Sequence, residues 1–418
     1  MSSNTVSKSR YSSTVLSSGL RIVVEEIPSA ASVAVGFFVE TGSRNEPPEL
    51  MGVSHFLEHM SFKATKKRSA LEVNLALDDM GSHANAYTSW ERTVFYAQVL
   101  PEFMSSAVNL IAEMIDPAFL VSDFDCEKNV ILEEIEMYND RPESLLFDEI
   151  MQARFSPHPL SGRILGTRET IQNLTHEMMK QYHSERYHPS RIVLAVSGAV
   201  RAEDVETVAE KLALGSNKAT TFSAGNNTLP KNKAKCSRIR EGDMQEQFMA
   251  VWEGPSYKEH RALYIAGMLG ILLGDEEGSR LSWSLTHTGL AQSIEAGVVA
   301  FTDTGLFYAG FASLPENFSK CREILFDEIK RIKDKPPNKS EFERAKTKFA
   351  SRTILSSEST QGRMMGIGVD ELTRQPHLNL EEELKLILSI TSDEVNAFSS
   401  TLNEAEVEGS IGPMQENM

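Results

Sequence analysis

At 418 residues, 41% of them hydrophobic and 24% charged, the chain is long enough for two or more globular domains and is not a disordered protein. Its net charge of −17, from 42 basic and 59 acidic residues, argues against nucleic acid as a partner, because phosphate binding needs a basic surface. Its three widely spaced cysteines argue against a disulfide scaffold and favour a reducing compartment.

The N-terminal segment contains Lys8 and Arg10 and no acidic residue before Glu25, but it lacks the apolar core of a secretory signal. An Arg- and Ser-rich transit peptide is the alternative. However, residues 20–24 (Leu-Arg-Ile-Val-Val) already have the pattern of a strand. No apolar run approaches the roughly 18 residues of a membrane-spanning helix, so we predict no membrane span. We favour a bacterial cytoplasm over an organelle matrix as the location.

The first predicted strand and helix carry a metal-binding pattern. Residues 36–40 form the strand, a polar turn follows, and Leu50 opens the helix. His55 and His59 are four residues apart, so both imidazoles lie on one helix face and can reach a single ion. Neutral imidazole suits zinc, and zinc lowers the pKa of a bound water to about 7. Glu58 is placed to act as the base that completes the deprotonation of this water.

A catalytic zinc site takes three protein ligands, so a third must come from elsewhere in the chain. The predicted helix 123–138 offers four carboxylates, at Glu127, Glu133, Glu134 and Glu136. Glu127 and Glu134 are seven residues apart and share a helix face, whereas the other two point elsewhere. We predict Glu134 as the third ligand. Glu127, two turns away, could accept a hydrogen bond from a ligand histidine and fix its tautomer.

The second half of the sequence repeats the element pattern of the first. At an offset of 213 residues, the strand 248–253 and the apolar helix 263–273 match the first strand and helix. The offset grows to 218 further on, where Phe342 matches Phe124. Each half then closes on a strand that ends in a small-residue turn. We predict an α+β fold of two homologous domains, each a mainly antiparallel sheet covered by helices.

The predicted domain boundaries follow the change in composition between the two copies. Residues 214–236 are rich in Ser, Thr, Asn, Gly and Lys and have almost no apolar periodicity, which is typical of a linker. Residues 1–213 would form the metal-binding peptidase domain. Residues 237–418 would form the second domain, without metal ligands.

A purely structural interpretation competes with the metal site. Two histidines four residues apart occur by chance, and acidic residues on a helix usually form a solvated face. The second copy provides an internal comparison, because Met268, Ile271 and Leu272 stand where the first copy has the two histidines and Glu58. The polar residues of the first copy therefore go beyond what the fold itself needs.

The order H-x-x-E-H reverses the common zincin motif and is the inverzincin signature. It is embedded in residues 52–63 (GVSHFLEHMSFK), and residues 81–88 (GSHANAYT) and 127–135 (EKNVILEEI) follow in order. These stretches closely resemble the pitrilysin-type peptidases, which include insulysin and the catalytic subunit of the mitochondrial processing peptidase. The resemblance extends over nearly the whole chain.

The resemblance implies one zinc ion per chain, held by His55, His59 and Glu134, with Glu58 as base and Glu127 as a supporting carboxylate. It also implies that the strand Asn85-Ala86-Tyr87 pairs with an extended peptide substrate through main-chain hydrogen bonds; an ordinary buried strand is the alternative. Two such domain pairs enclose a chamber in this family. One pair here therefore suggests a dimer, with either an identical or a homologous subunit.

The segment 278–293 departs from the family pattern. Active members commonly carry an Arg and a Tyr in a stretch like R-E-x-x-G-L-x-Y, but this chain has Thr286-His287 and Gln292 at the matching positions. Losing such donors would cost about 3 kcal/mol of oxyanion stabilisation. The resulting hypothesis is a zinc endopeptidase acting on peptides or unfolded segments, with a homologous partner supplying the Arg and Tyr. The alternative is a non-catalytic or weakly active structural subunit of a larger assembly.

Overall fold

The computed structural model of the protein describes residues 9–214 and 228–413. Its strands, in chain order, are β1 (Arg10–Val15), β2 (Arg21–Glu26), β3 (Val33–Val39), β4 (His83–Thr88), β5 (Thr93–Val99), β6 (Ile192–Gly198), β7 (Ala234–Ile239), β8 (Glu246–Gly254), β9 (Ala291–Ala300), β10 (Gly305–Ser313) and β11 (Val407–Gly412).

The α-helices, in chain order, are α1 (Val53–Ser61), α2 (Ala70–Asp79), α3 (Met104–Met114), α4 (Val121–Asn139), α5 (Pro142–Phe155), α6 (Arg168–Asn173), α7 (His176–Arg186), α8 (Ala202–Ala209), α9 (His260–Gly274), α10 (Phe318–Asp334), α11 (Lys339–Ser357), α12 (Thr360–Thr373), α13 (Leu380–Ser389) and α14 (Ser392–Ser399). In the described part of the chain, no helix combines the length and the apolar character needed to cross a bilayer.

The described residues divide into two compact units that are not contiguous in sequence. The first unit contains residues 9–136, 162–214 and 356–377, and the second contains residues 137–161, 228–355 and 378–413. Two helices are therefore exchanged relative to a division at residue 213. Helix α5, from the first half of the sequence, belongs to the second unit, and α12, from the second half, belongs to the first.

The first unit is built on a six-stranded sheet with the order β1-β2-β6-β3-β5-β4. Only the β2–β6 pair is parallel. Strand β3 is buried along its whole length, because helices cover both faces of the sheet. Its side chains alternate between the faces, so Phe37 joins the core that contains Phe56 of α1, and Phe38 joins Met364 of α12.

Helix α12 lies unusually close to β3 because glycines occur at the contact. A Cβ atom on Gly368 would meet the Phe38 ring at 2.3 Å, and one on Gly36 would meet the Met364 sulfur at 2.4 Å. Arg363 of α12 also forms a bidentate ion pair with Glu25 of β2. Helix α12 is thus held on the sheet by close packing at the two glycines and by the buried ion pair between Arg363 and Glu25.

The Glu25–Arg363 pair leads to a stability prediction. Arg363→Met should lower the free energy of unfolding by about 3–5 kcal/mol, because it leaves a buried carboxylate without its partner. Glu25 retains only 2% exposure, which is why the loss should be large. Urea denaturation followed by circular dichroism measures the effect. Arg201→Met is the control, because its ion pair with Asp204 is exposed and should contribute little; equal effects in the two variants would contradict the prediction.

The second unit repeats this architecture with a five-stranded sheet in the order β7-β11-β8-β10-β9, in which only β7–β11 is parallel. The order matches β2-β6-β3-β5-β4 of the first unit strand by strand. Helix α9 packs on one face, and α5 covers the other through Leu146 and Ile150.

The helices of the two units also correspond in length and position. Helices α4 and α11 have 19 residues each, and α5 and α12 have 14 residues each. In both pairs the second helix starts 218 residues after the first. The predicted α+β fold with an internal duplication is confirmed.

Two boundary predictions need correction. Helix α1 begins at Val53 instead of Leu50, because Pro48–Leu50 forms a short 3-10 turn and Gly52 adopts a left-handed φ of 96°. A side chain at Gly52 would also clash with the Leu165 carbonyl oxygen at 2.7 Å. The predicted linker 214–236 lies partly outside the described residues, and its last three residues belong to β7, where pairing with β11 satisfies their backbone groups.

Candidate metal and catalytic site

Helix α1 is fixed at its N-terminus by a buried carboxylate. Glu46 accepts hydrogen bonds from the backbone N–H groups of Gly52 and Ser54, both at 2.7 Å. Burial raises the pKa of Glu46 to about 7, although these two hydrogen bonds oppose the rise. Because free N–H groups at a helix start need acceptors, Glu46 orients the turn that carries His55.

The structure brings His55, His59 and Glu134 together. Each residue offers one ligand atom, and these atoms lie within 4.8 Å of one another. Oε2 of Glu134 lies 3.3 Å from His59 Nε2 and 3.8 Å from His55 Nε2. With Zn–N and Zn–O distances of about 2.0–2.2 Å, tetrahedral ligand atoms are separated by similar distances. The donor set therefore fits a zinc ion.

Helix packing creates this proximity. Glu134 is 75 residues from His59 in sequence, and α1 meets α4 through Phe56 and Phe124, whose rings stack at 4.9 Å with an interplanar angle of 11°. The two histidine rings lie edge to face at 4.7 Å. Both helices thus present their polar side chains to one point.

The charges around the histidines also suit a cation. Burial and the nearby His59 lower the pKa of His55 to about 4, so its imidazole is neutral at pH 7 and keeps a lone pair. Burial lowers the pKa of His59, but hydrogen bonds with Glu134 and Glu127 outweigh it and raise the pKa overall. The negative charges of Glu134 and Glu127 that favour a proton on His59 would favour a metal cation for the same electrostatic reason.

Glu127 lies behind His59. Its Oε2 is 3.1 Å from His59 Nδ1, and its Oε1 is 2.5 Å from Lys63 Nζ. The Glu127 side chain is only 6% exposed, so its two oxygens have two defined partners. Lys63 thereby holds the carboxylate that orients the imidazole, and Nε2 of His59 remains directed at Glu134.

This contact leads to a prediction for zinc affinity. Lys63→Met should weaken zinc binding by about 10- to 100-fold, the range found when partners behind a metal ligand are removed. Chelator competition on the purified protein measures the affinity. Lys66→Met is the matched control, because Lys66 pairs with Asp116 at the surface and should leave the affinity unchanged. An unchanged affinity for Lys63→Met would refute the positioning role.

Glu58 lies beside the ligand cluster and has its own hydrogen bond. Thr88, the last residue of β4, donates its hydroxyl to Glu58 Oε2 at 2.6 Å. Burial raises the pKa of Glu58, whereas the hydrogen bond from Thr88 and the charge of His59 lower it. A partly desolvated carboxylate held by one donor can accept and release a proton.

Strand β4 ends the six-stranded sheet, so its outer backbone groups have no neighbouring strand within that sheet. Asn85 is exposed, Ala86 is buried and Tyr87 is half-buried. This pattern differs from that of a strand buried on both faces, such as β3. The edge can accept an added strand, and its last residue contacts the predicted base.

The segment that departs from the family pattern lies in the second unit. Ser282–Thr286 forms a π-helical turn, and Thr286 donates its hydroxyl to the Ser282 carbonyl at 2.8 Å. His287 stacks on Trp283, and Gln292 is exposed at the start of β9. With Gly289 and Gln292 at the Gly and Tyr positions, the spacing of the pattern places its Arg-Glu pair on Leu285 and Thr286, one residue earlier than the predicted match. Leu285 is buried, so neither it nor Gln292 provides the Arg or the Tyr.

Lys63 and Thr88 are the site residues that the sequence analysis did not assign. Lys63 follows His59 by four residues, the spacing of one helical turn, although α1 ends at Ser61. Thr88 is two residues beyond Ala86, so strand alternation places both on one face of the sheet. Both signals were present in the sequence. However, neither spacing identifies the carboxylate that each side chain contacts.

Known proteins resemble this chain over most of its length. Residues 21–168 match the family described as insulinase (peptidase family M16), and residues 173–349 match a second description, the peptidase M16 inactive domain. An uncharacterized zinc protease of Bacillus subtilis (strain 168) is 32% identical over 390 residues, which cover 92% of this chain and 93% of that protein. An uncharacterized zinc protease of Mycobacterium leprae (strain TN) is 31% identical over 413 residues, which cover 96% of this chain and 91% of that protein.

Solved structures share the fold. The crystal structure of a protease from Helicobacter pylori has a TM-score of 0.90 and 20% identity, covering 97% of this chain and all of that chain. A Pseudomonas fluorescens structure described as a peptidase M16 inactive domain has a TM-score of 0.88 and 18% identity, covering 98% and 100% of the two chains. Because the family matches span most of the sequence and both relatives exceed 30% identity over more than nine-tenths of it, this chain belongs to the insulinase family of peptidases, peptidase family M16.

Proposed function

We propose that this chain is a zinc-dependent endopeptidase that hydrolyses peptides or unfolded segments. His55, His59 and Glu134 would hold one zinc ion per chain, and Glu58 would be the base. The observation that carries this proposal is the approach of three ligand atoms to within 4.8 Å of one another beside the half-buried carboxylate of Glu58. The names of the bacterial relatives, which are zinc proteases, point to the same metal.

The chain's own residues would divide the chemistry among them. When bound, zinc supplies Lewis-acid polarisation and lowers the pKa of a water molecule to about 7. Glu58 would accept a proton from the attacking water and pass it to the leaving amine. Thr88 would hold Glu58 at the end of β4 during this transfer. The edge formed by Asn85, Ala86 and Tyr87 would pair with the extended substrate and place its peptide bond near Glu58.

The proposed working form is a dimer that encloses a chamber, in a bacterial cytoplasm. A homologous subunit would supply the Arg and Tyr that this chain lacks in the segment 278–293. The same replacements support a second candidate function, a non-catalytic or weakly active subunit of a larger assembly. The intact cluster of two histidines and Glu134 favours the enzyme, because a scaffold has no physical use for it.

Metal analysis combined with a cleavage assay tests the proposal. The purified chain, with and without a co-expressed homologue from the same genome, is assayed for zinc content and for cleavage of fluorogenic unfolded peptides. We expect about one zinc per chain, cleavage that chelators abolish, and a higher rate with the homologue. Zinc-free protein, or zinc-loaded protein that is inactive in both forms, would favour the structural subunit. Cleavage that the homologue does not raise would refute the partner requirement.

A further inference from the structure

The second unit contains a cleft at the position that corresponds to the metal site of the first unit. Ile271 and Leu272 occupy the positions of Glu58 and His59 at an offset of 213, and Ala345 occupies that of Glu127 at an offset of 218. All three residues line a cavity of about 420 Å³. This volume lies within the usual range for small-ligand sites, about 300–1,000 Å³. The duplicated position is therefore not filled by side chains.

An exposed tryptophan forms one wall of this cleft. Trp283 lies in the π-helical turn and is 59% exposed, which is unusual for the largest aromatic side chain. Its ring stacks on His287 at 4.2 Å with an interplanar angle of 16°. Because one ring face already rests on His287, the indole is held in place and offers its remaining surface to the cleft. With Ile271 and Leu272 it forms an apolar surface suited to an aliphatic side chain.

The cleft is lined by charges of both signs, from Glu277, Glu341, Arg344 and Lys348, and an anion would bind at Arg344. Glu341 is neutralised by a bidentate contact with Arg280, and Lys348 is paired with Asp275. Arg344 is exposed, and within residues 9–214 and 228–413 its guanidinium has a hydrogen bond only to the neutral hydroxyl of Ser340, at 2.9 Å. Arg344 is thus the cation at the cleft that is available for a ligand carboxylate. A guanidinium binds a carboxylate with two parallel hydrogen bonds.

We propose that this cleft binds the C-terminal residue of a peptide. The apolar side chain would lie against Trp283 and Leu272, and the terminal carboxylate would bind Arg344. A C-terminal residue carries both groups on one Cα atom, which matches an apolar surface directly beside a single cation. The proposal rests on the proposed peptidase function only for the source of such peptides, because each cleavage creates a new C-terminal carboxylate.

The test uses a matched pair of peptides with the full chain carrying Glu58→Gln, which prevents cleavage. The probes are an alanine-rich hexapeptide that ends in leucine as the free acid and the same peptide as the C-terminal amide. We expect the acid to bind at least about tenfold more tightly than the amide in calorimetric titration. Arg344→Met should remove this discrimination. Trp283→Ala should weaken both probes and remove the part of the fluorescence change on binding that comes from Trp283. Trp252 is buried, and the half-buried Trp90 belongs to the first unit.

Lys346→Met is the matched control, because Lys346 lies on the same helix but donates to the Leu388 carbonyl instead of lining the cleft. It should leave acid and amide binding unchanged. Equal affinity for acid and amide, absence of binding, or an identical effect of Arg344→Met and Lys346→Met would overturn the proposal. Because binding is measured without cleavage, these outcomes are distinct from a failure of the peptidase assay. Arg344→Met should also leave the zinc content unchanged.

Discussion

Glu58→Gln is expected to lower peptide cleavage by about 10²–10⁴-fold, the usual contribution of a general base, while about one zinc ion per chain stays bound. The amide keeps the size of the carboxylate and can still accept the hydrogen bond from Thr88, which spans 2.6 Å. It cannot accept a proton from water. A steady-state assay with a fluorogenic peptide, alongside metal analysis of the same preparation, measures both quantities.

The split between activity and metal content is the informative result. If Glu58 were a ligand, Glu58→Gln would lose zinc as well as activity; if it only supported the fold, the variant would lose stability. Full activity with bound zinc would refute its role as the base. Glu133→Gln is the control, because Glu133 is an exposed carboxylate on α4 and should change neither quantity.

Glu134→Gln is expected to weaken zinc binding by at least about 100-fold, beyond the 10- to 100-fold range for partners that lie behind a ligand. The variant replaces an anionic oxygen donor with a neutral one at a position 3.3 Å from His59 Nε2. A bound metal stabilises the folded state by about 2.7 kcal/mol when its concentration is 100 times the Kd. The variant should therefore lose most of the rise in Tm that added zinc produces in the unaltered protein.

The adjacent residue again provides the control. Glu133→Gln changes the same functional group one position earlier on the same helix, where the side chain is exposed. It should retain both the zinc affinity and the zinc-dependent rise in Tm. Unaltered zinc affinity in Glu134→Gln would mean that another group completes the ligand set. A loss of similar size in both variants would point to an effect of net charge on α4.

The sequence pattern did not predict that α5 and α12 would pack on the sheet of the other half of the chain. Helices α5 and α12 have the same length and equivalent places in the two copies. Their apolar residues indicate burial but not which sheet buries them. The choice depends on local complementarity, as where Gly368 of α12 approaches Phe38 and where Gly409 of β11 admits Leu146 of α5. Such fits are pairwise and long-range, so no periodicity in either helix encodes them.

The site divides in the same way between local and long-range features. His55, Glu58 and His59 follow from the spacing of one helix, and the face shared by Glu127 and Glu134 follows from another. The meeting of the two faces depends on packing, and spacing alone could not exclude a solvated acidic helix. Two supporting contacts become evident only from the structure. Lys63 Nζ lies 2.5 Å from Glu127 Oε1, and the Thr88 hydroxyl lies 2.6 Å from Glu58 Oε2.

The sequence by itself determined the duplicated α+β fold, the helix that carries the two histidines and the family, because these depend on short-range periodicity and on motifs within single elements. Only the tertiary structure decided which helix covers which sheet and how Lys63 and Thr88 support the polar cluster. It also showed that the second copy keeps an open cleft where the first has the cluster of His55, His59 and Glu134. These features arise between elements distant in the chain. Their free energy depends on packing and charge contacts that no local pattern specifies.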